Sequence, residues 1–291
     1  MIIRPVKRLS PLEKREIQTL EHICSQVDGI TYKMDLDGSL NFRNEMNHTF
    51  LCYENHRLVA FIHLFAPMQA EAELSALTLP MYRKKGYFTA LFLRTAAELE
   101  LFQVSDVLFV SQPDFPNNAV IDHFQANYDF SEYVMALECG QYEIRSVSNV
   151  LSLEKQTMAR MEQLIAVSMS SFHDSRADAR NLIEMALLSA NRQGYMAVYE
   201  NAIIGICYVR FEEDRAFLFG FGLHADYQNK GLGSAFFQLV LNQLFQGHTK
   251  QVMLEVESRN ERALHLYKKM GFTIQETINY FRAHLKNLRG I

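Results

Sequence analysis

Two hydrophobic periods run along this chain. In "YMAVYENAIIGICYVRF" (195–211), two apolar runs flank Glu200-Asn201, the pattern of a β-hairpin turning there. "YEIRSV" (142–147) alternates and predicts a strand. "SLEKQTMARMEQLIAVSMSSF" (152–172) carries apolar residues at helical spacing, and "ADARNLIEMALLSANRQG" (177–194) predicts a second helix closed by Gly194. "RAFLFGFGLH" (215–224) reads as a strand, and Gly220 and Gly222 inside it mark a bulge or a close backbone approach. Then come a helix (234–247), a strand (250–258), a helix (260–270) and a final strand pair (272–285). The order β-α-α-β-β-β-α-β-α-β-β mixes hairpins with one β-α-β crossover. This predicts an α+β fold, a mixed central sheet flanked by helices, rather than a doubly wound one.

The pattern is written twice. "IIRPVKRLSPLEK" from Ile2 is echoed by "EIRSVSNVLSLEK" from Glu143. Tyr53-Glu54-Asn55 returns as Tyr199-Glu200-Asn201, again between apolar runs. "LTLPMYRKKGYFTALF" matches "GLHADYQNKGLGSAFF", with Tyr82, Lys85, Gly86 and Ala90 falling on Tyr227, Lys230, Gly231 and Ala235. Three matches in one order imply a duplication, with domains at 1–140 and 141–291. No Gly/Ser linker separates them, so the expectation is an internal pseudo-dimer, as a monomer or a homodimer.

Composition adds limits. With 291 residues, 48% hydrophobic and 21% charged, the chain has the length for two domains and the material for their cores. Its net charge of −4 speaks against a general nucleic-acid binder. The first copy carries 12 basic and 18 acidic residues, the second 17 and 15. The more basic second copy is the better holder of a polyanion. Cys24, Cys52, Cys139 and Cys207 form no C-x-x-C pair, which argues for buried thiols over a metal site. The first sixteen residues hold no apolar run of signal-peptide length, and no segment approaches the roughly 20 apolar residues of a membrane span. A cytoplasmic protein without a membrane or nucleic-acid partner is expected.

The chemistry concentrates in "HADYQNKGLGSAFF" (224–237). Alone, its G-x-G is either a strand–helix turn or a phosphate cradle. Gln228-Asn229-Lys230-Gly231-Leu232-Gly233 fits Q/R-x-x-G-x-G/A, and "NERALHLYKKMGF" supplies Asn260, then Tyr267, Gly271 and Phe272. With both motifs at their spacing, residues 141–291 resemble the GCN5-related N-acetyltransferase (GNAT) family, and the repeat extends the resemblance more weakly to 1–140.

The resemblance implies acetyl-CoA as cosubstrate, held by Leu223, Gln228, Asn229, Lys230, Gly231, Leu232, Gly233, Ser234 and Asn260. Physically, a helix N-terminus leaves N–H groups unpaired and carries partial positive charge. A pyrophosphate fits there if glycines let it approach. The resemblance further implies direct attack of a small-molecule or peptide amine on the thioester, with Tyr267 as acid for the leaving thiolate. Asn260 also suits a helix N-cap.

The central strand lacks the glutamate many members use as base. Glu255 and Glu257, on one face of the next strand, are the candidates, with ordered water as the alternative. The competing classes are an acyl-CoA-binding module without catalysis and a tandem transferase using aminoacyl-tRNA. The first copy keeps Arg83, Lys84, Lys85 and Gly86. Phe88 stands at the second glycine, where it would crowd a phosphate, Phe124 at Tyr267, and Asn117 or Asn118 at Asn260. It has Glu71 and Glu73 on its central strand, yet reads as degenerate.

Overall fold

The computed structural model of the protein describes residues 1–30, 34–113, 119–147 and 151–290. They form two compact units, Met1–Ser131 with Glu276–Ile291, and Glu132–Gln275. Each is a mixed sheet with helices on it, the α+β architecture that the periodicity predicts.

Unit 1 begins with β1 (Ile2–Val6) and α1 (Pro11–Asp28). Ser10 and Glu13 close a reciprocal capping box at the start of α1, and Gly29, at φ +71°, ends it in the left-handed conformation. Ile17, Leu20 and Cys24, at helical spacing, are its buried face. Then come β2 (Thr49–Glu54), β3 (Arg57–Phe65), β4 (Glu71–Thr78), α2 (Tyr87–Leu101), β5 (Asp106–Ser111), α3 (Ala119–His123) and β6 (Asn127–Glu138). Unit 2 contains β7 (Ser152–Lys155), α4 (Met161–Phe172), α5 (Arg176–Leu188), β8 (Arg192–Tyr199), β9 (Ala202–Glu212), β10 (Arg215–Leu223), α6 (Leu232–Phe245), β11 (Gln251–Glu257) and α7 (Glu261–Lys269); β12 (Thr273–His284) ends the series.

The division expected at 140/141 differs from these units. In unit 2, Glu132–Glu138 of β6 pairs antiparallel with β11. In unit 1, Asn279–His284 of β12 pairs antiparallel with β5. Each unit is therefore completed by a strand that the repeat places in the other copy. Arg282 pins β12 within unit 1, reaching Glu71 at 2.7 Å, Asp106 at 2.9 Å and Asp129 at 2.6 Å.

The hairpin of the second copy turns at Glu200 and Asn201 as its pattern predicts, both at positive φ. Its twin turns at Asn55 and His56. The Tyr-Glu-Asn triplets are thus one residue out of structural register. Four other expectations fail. Tyr142–Val147 is not a strand, because α6 satisfies it instead. Tyr142 donates to Asn242 Oδ1 at 2.8 Å, and Asn242 donates to the Arg145 carbonyl at 2.8 Å. Ser152–Lys155 pairs with β8 instead of opening a helix, and Gly194 lies within β8 instead of capping α5. A Cβ at Gly194 would come within 2.6 Å of Gln156 Oε1. The final strand pair is one strand, β12.

Unit 1 also buries a histidine. His63 is 4% exposed, shares a 2.9 Å hydrogen bond with Thr49, and leaves Nε2 without a partner. Burial, reinforced by nearby His48 and opposed by Asp35 and Asp37, pushes its pKa down to about 4.

Two predictions arise here. Arg282→Ala leaves three carboxylates facing one another and should cost unit 1 about 2 kcal/mol, discounted for partial exposure, as measured by urea unfolding. His63 is neutral when folded, so its contribution is complete above the unfolded pKa of about 6.5 and is lost as pH falls toward 4. The melting temperature of the parent should fall more steeply over that window than that of His63→Phe.

Candidate active site

The site begins with a pair of parallel strands that part. β10 and β11 are in register from Arg215↔Gln251 to Leu218↔Leu254 and no further. Beyond that point β10 stays with β9, and β11 stays with β6. The β10 edge from Phe219 to Leu223 therefore has no partner on β11. β10 also carries one extra residue between Phe219 and Gly222, a β-bulge. Gly220, at φ +56°, makes the bulge possible: a Cβ there would lie 2.7 Å from the Tyr208 ring. The bulge is the feature that the two glycines in the sequence announce.

At the end of β10 the chain makes a 3-10 turn (Ala225–Tyr227) and enters α6 through Asn229 and Gly231, both left-handed. Gly231 is the N-cap of α6, and no side chain caps the helix. A Cβ at Gly231 would meet nothing within 4 Å, and one at Gly233 would meet only Leu223 Cδ1 at 3.9 Å. The amino end of α6 is open, with donors and partial positive charge directed outward. These features fit a pyrophosphate.

Gln228 has a second task that its sequence position does not reveal. Its Nε2 donates to the Leu223 carbonyl at 2.9 Å, and its Oε1 accepts from Arg262 at 3.0 Å. In unit 1, Arg83 Nε donates to the Thr78 carbonyl at 3.0 Å. In both copies the Q/R position fastens the loop to the end of the strand. The signal was present: a residue with a donor at the same place in both repeats. Lys230 lies 5.6 Å over the Tyr227 ring, as Lys85 lies 5.8 Å over Tyr82.

Asn260 caps α7, its Oδ1 accepting from Ala263 N at 3.1 Å. Tyr267, the buried residue of α7, sits 5.1 Å from the Phe237 ring of α6. Burial, with Cys207 adding to it, holds its phenol well above the ordinary value, so it remains protonated. Leu254 and Val256 share the core with Tyr267, so Glu255 and Glu257 alternate onto the opposite face of β11. Glu255 is exposed and Glu257 pairs with Arg259. The structure thus brings Tyr267 to the glycine helix and leaves both glutamates across the sheet from it. Leu223 is buried at the strand end, while Leu232 packs against the core and Ser234 lies in the first turn of α6.

Unit 1 repeats the frame. β4 and β5 are in register from Glu71↔Asp106 to Leu74↔Phe109, then part. A cavity of about 330 Å³ occupies the opening, between Leu74–Thr78 and Phe109–Gln112. The amino end of α2, with Gly86 at φ +81° and no capping side chain, borders it. Phe88 turns onto Phe92 and Phe124, ring centroids 6.1 and 5.9 Å away, and forms part of the wall. The crowding expected of Phe88 does not close this space. β4 has no bulge. Glu71 is committed to Arg282, and Glu73 lies on β4 opposite Leu108. Asn117 and Asn118 lie outside the described residues.

Residues 158–272 match the model of the "Acetyltransferase (GNAT) family". Residues 158–272 form a GNAT-family domain. A mycothiol acetyltransferase of Corynebacterium efficiens is 40% identical over 55 residues, 19% of this chain and 19% of that protein. A GCN5-related N-acetyltransferase structure from Sphaerobacter thermophilus superposes at TM-score 0.72 and 15% identity, covering 98% of this chain and 95% of that one. A tandem GNAT protein from the clavulanic acid biosynthesis pathway superposes at TM-score 0.70 and 15% identity, covering 98% and 99%. At these identities the structural likeness establishes the fold, a tandem GNAT fold across the whole chain.

If the bulge positions the GNAT site, Gly220→Ala should disrupt it twice, through the left-handed φ and through contact with Tyr208. We expect a loss of about 2 kcal/mol in stability. Gly247→Ala, at φ below zero, is the control for glycine removal; calorimetry of both variants decides the matter.

Proposed function

We propose that the protein is an acetyl-CoA-dependent N-acetyltransferase acting in the cytoplasm on a primary amine of a small molecule or peptide. Transfer is assigned to unit 2. The observation that carries this reading is the coincidence of three features in that unit: the parted β10–β11 pair, the uncapped α6 at its mouth, and protonated Tyr267 behind it.

Acetyl-CoA, when bound, supplies an activated acetyl thioester. The α6 N–H groups and Lys230 would hold its pyrophosphate, helped by the open space at Gly231 and Gly233. The unpaired backbone edge Phe219–Leu223 offers peptide groups along which an extended arm can pair, and an N–H there would polarise a carbonyl. Tyr267 holds a proton for a departing thiolate. Glu255 and Glu257 remain the candidates for accepting the amine's proton through water from the opposite face.

A specific observation favours a second pocket. The cavity between β4 and β5 supports acyl-CoA binding in unit 1 as well, held without transfer because Phe124 has no hydroxyl and β4 no bulge. The amino-terminal copy would then be a degenerate GNAT-like domain that retains a ligand. A module that only binds acyl-CoA, or an aminoacyl-tRNA-dependent transferase, would share the fold but not the activity.

Isothermal titration should give two equivalents of acetyl-CoA per chain. Gly233→Trp should abolish one of them together with all turnover, and Ala76→Trp should abolish the other while turnover persists. Tyr267→Phe should retain binding and lower kcat about 100-fold. Absence of acetyl-CoA binding to the intact protein, or absence of CoA release with every member of a broad amine panel, would reject the transferase reading.

A further inference from the structure

A second polar group in unit 2 lies away from the glycine helix, on the side of the sheet that α4 and α5 cover. Tyr208 of β9 packs there with Met196, Ile206 and the inner faces of the two helices. It is 0% exposed, and the Gln156 side chain beside its hydroxyl offsets part of the effect of burial. Its register neighbour on β8 is Gly194, against which Gln156 lies. On the other side, the Tyr208 ring abuts Gly220 of the bulge. Two residues on, Gly222 faces Ser171 of α4, whose Oγ is buried without a partner among the described residues. A buried polar atom left without a partner is costly unless something else satisfies it. The Tyr208 ring and Ser171 thus flank the bulge in β10.

A carboxylate completes the group. Asp174 stands in the short link between α4 and α5, after His173, which closes α4 at φ +62°. It folds back onto the buried Ser168, whose Oγ donates to Asp174 Oδ2 at 2.8 Å. Ser168, Ser171 and Phe172 follow at i, i+3 and i+4, so Asp174 is tied to the helix face that meets the bulge. Burial raises its pKa; Asp178 of α5 adds to this, while Ser168 and His173 oppose it. Among the described residues Asp174 makes no ion pair with a lysine or arginine. A half-buried carboxylate needs a positive partner or strong hydrogen bonds. Here one serine hydroxyl is supplied.

We propose that Asp174 is the acceptor-binding carboxylate of unit 2: it receives the ammonium form of an alkylamine substrate, with the Ser171 hydroxyl meeting that substrate's polar groups beside the bulge. The missing cation of this site is the substrate itself. Selection is therefore for cationic amines over neutral alcohols and thiols of the same shape. This rests on the transferase reading of unit 2 but makes a separate claim, because ammonium binding at Asp174 requires no acetyl transfer.

Asp174→Asn is nearly isosteric and can still accept from Ser168. CoA release is measured with ethanolamine, lysine methyl ester and glucosamine as probes. KM for whichever probe reacts should rise at least tenfold in Asp174→Asn, with the Kd for acetyl-CoA unchanged and the melting temperature retained. Asp174→Glu should recover part of the loss. An unchanged KM in Asp174→Asn overturns the proposal and leaves the transferase reading intact. Binding is followed separately by calorimetric titration of the same three amines. Amine binding that disappears in Asp174→Asn, without acetyl transfer by the parent, sustains the proposal and rejects the transferase reading. Amine binding of equal strength in parent and variant, or no amine binding and no transfer by the parent, overturns it.

Discussion

The candidate site depends on how briefly two parallel strands stay together. β10 and β11 share four register pairs, as do β4 and β5. Each strand then follows its other neighbour: β10 follows β9 and β11 follows β6, while β4 follows β3 and β5 follows β12. A strand edge left without a partner exposes peptide groups that require satisfaction. The crossover helix that joins a parallel pair must start at the carboxyl end of the first strand, so its amino end opens onto the gap. An unpaired strand edge beside an uncapped helix thus follows from topology. Side chains only specialise it.

The two copies specialise it differently. The second contains one more residue in its central strand than the first, and that residue is accommodated as the bulge at Gly220. The first copy keeps a regular ladder and fills the surroundings with Phe88, Phe92, Phe109 and Phe124, whose neighbouring centroids lie 4.4 to 6.1 Å apart. Stacked rings give an apolar wall without a proton to donate. Where the second copy buries Tyr208, opposite Phe219, the first buries His63, opposite Ser75. His63 has Thr49 as partner, so its polarity is partly satisfied internally. Tyr208 has the Gln156 side chain beside its hydroxyl instead.

Much of this could be read from the sequence, for physical reasons. The hairpin at Glu200-Asn201, α6 and α7 declare themselves because apolar periodicity and turn chemistry are local. Gly220 marks the bulge because only glycine tolerates both that φ and that contact. The bulge was even written as a shift between the repeats, since Leu74 corresponds to Leu218 but Thr78 to Leu223. The destination of β6 and β12 was not legible. A strand's own residues set its faces, but its neighbours are chosen by contacts distant in sequence, here Arg282 with Glu71, Asp106 and Asp129. Tyr142–Val147 failed for the same reason: its alternation is real, but a helix answers it. Asp174 and Tyr208 belong to no motif, and only folding brings them near each other.

The burial of these groups also divides the chemistry between the faces of the sheet. On the α6–α7 side, Tyr267 sits among Phe237 and Phe272, where loss of solvent keeps its phenol protonated. Such a group can give a proton to a thiolate but cannot first take one from an amine. On the α4–α5 side, burial likewise raises Asp174, and the absence of a cation makes that position attractive to an ammonium. An acid held protonated on one face and a carboxylate lacking its countercharge on the other define opposite approaches to the same parted strands. With no glutamate on β10 itself, the proposed transfer would send the amine's proton toward the face where Glu255 and Glu257 lie, which is the face opposite Tyr267. A donor and an acceptor separated by a sheet cannot exchange the proton directly, so each step must draw on its own group.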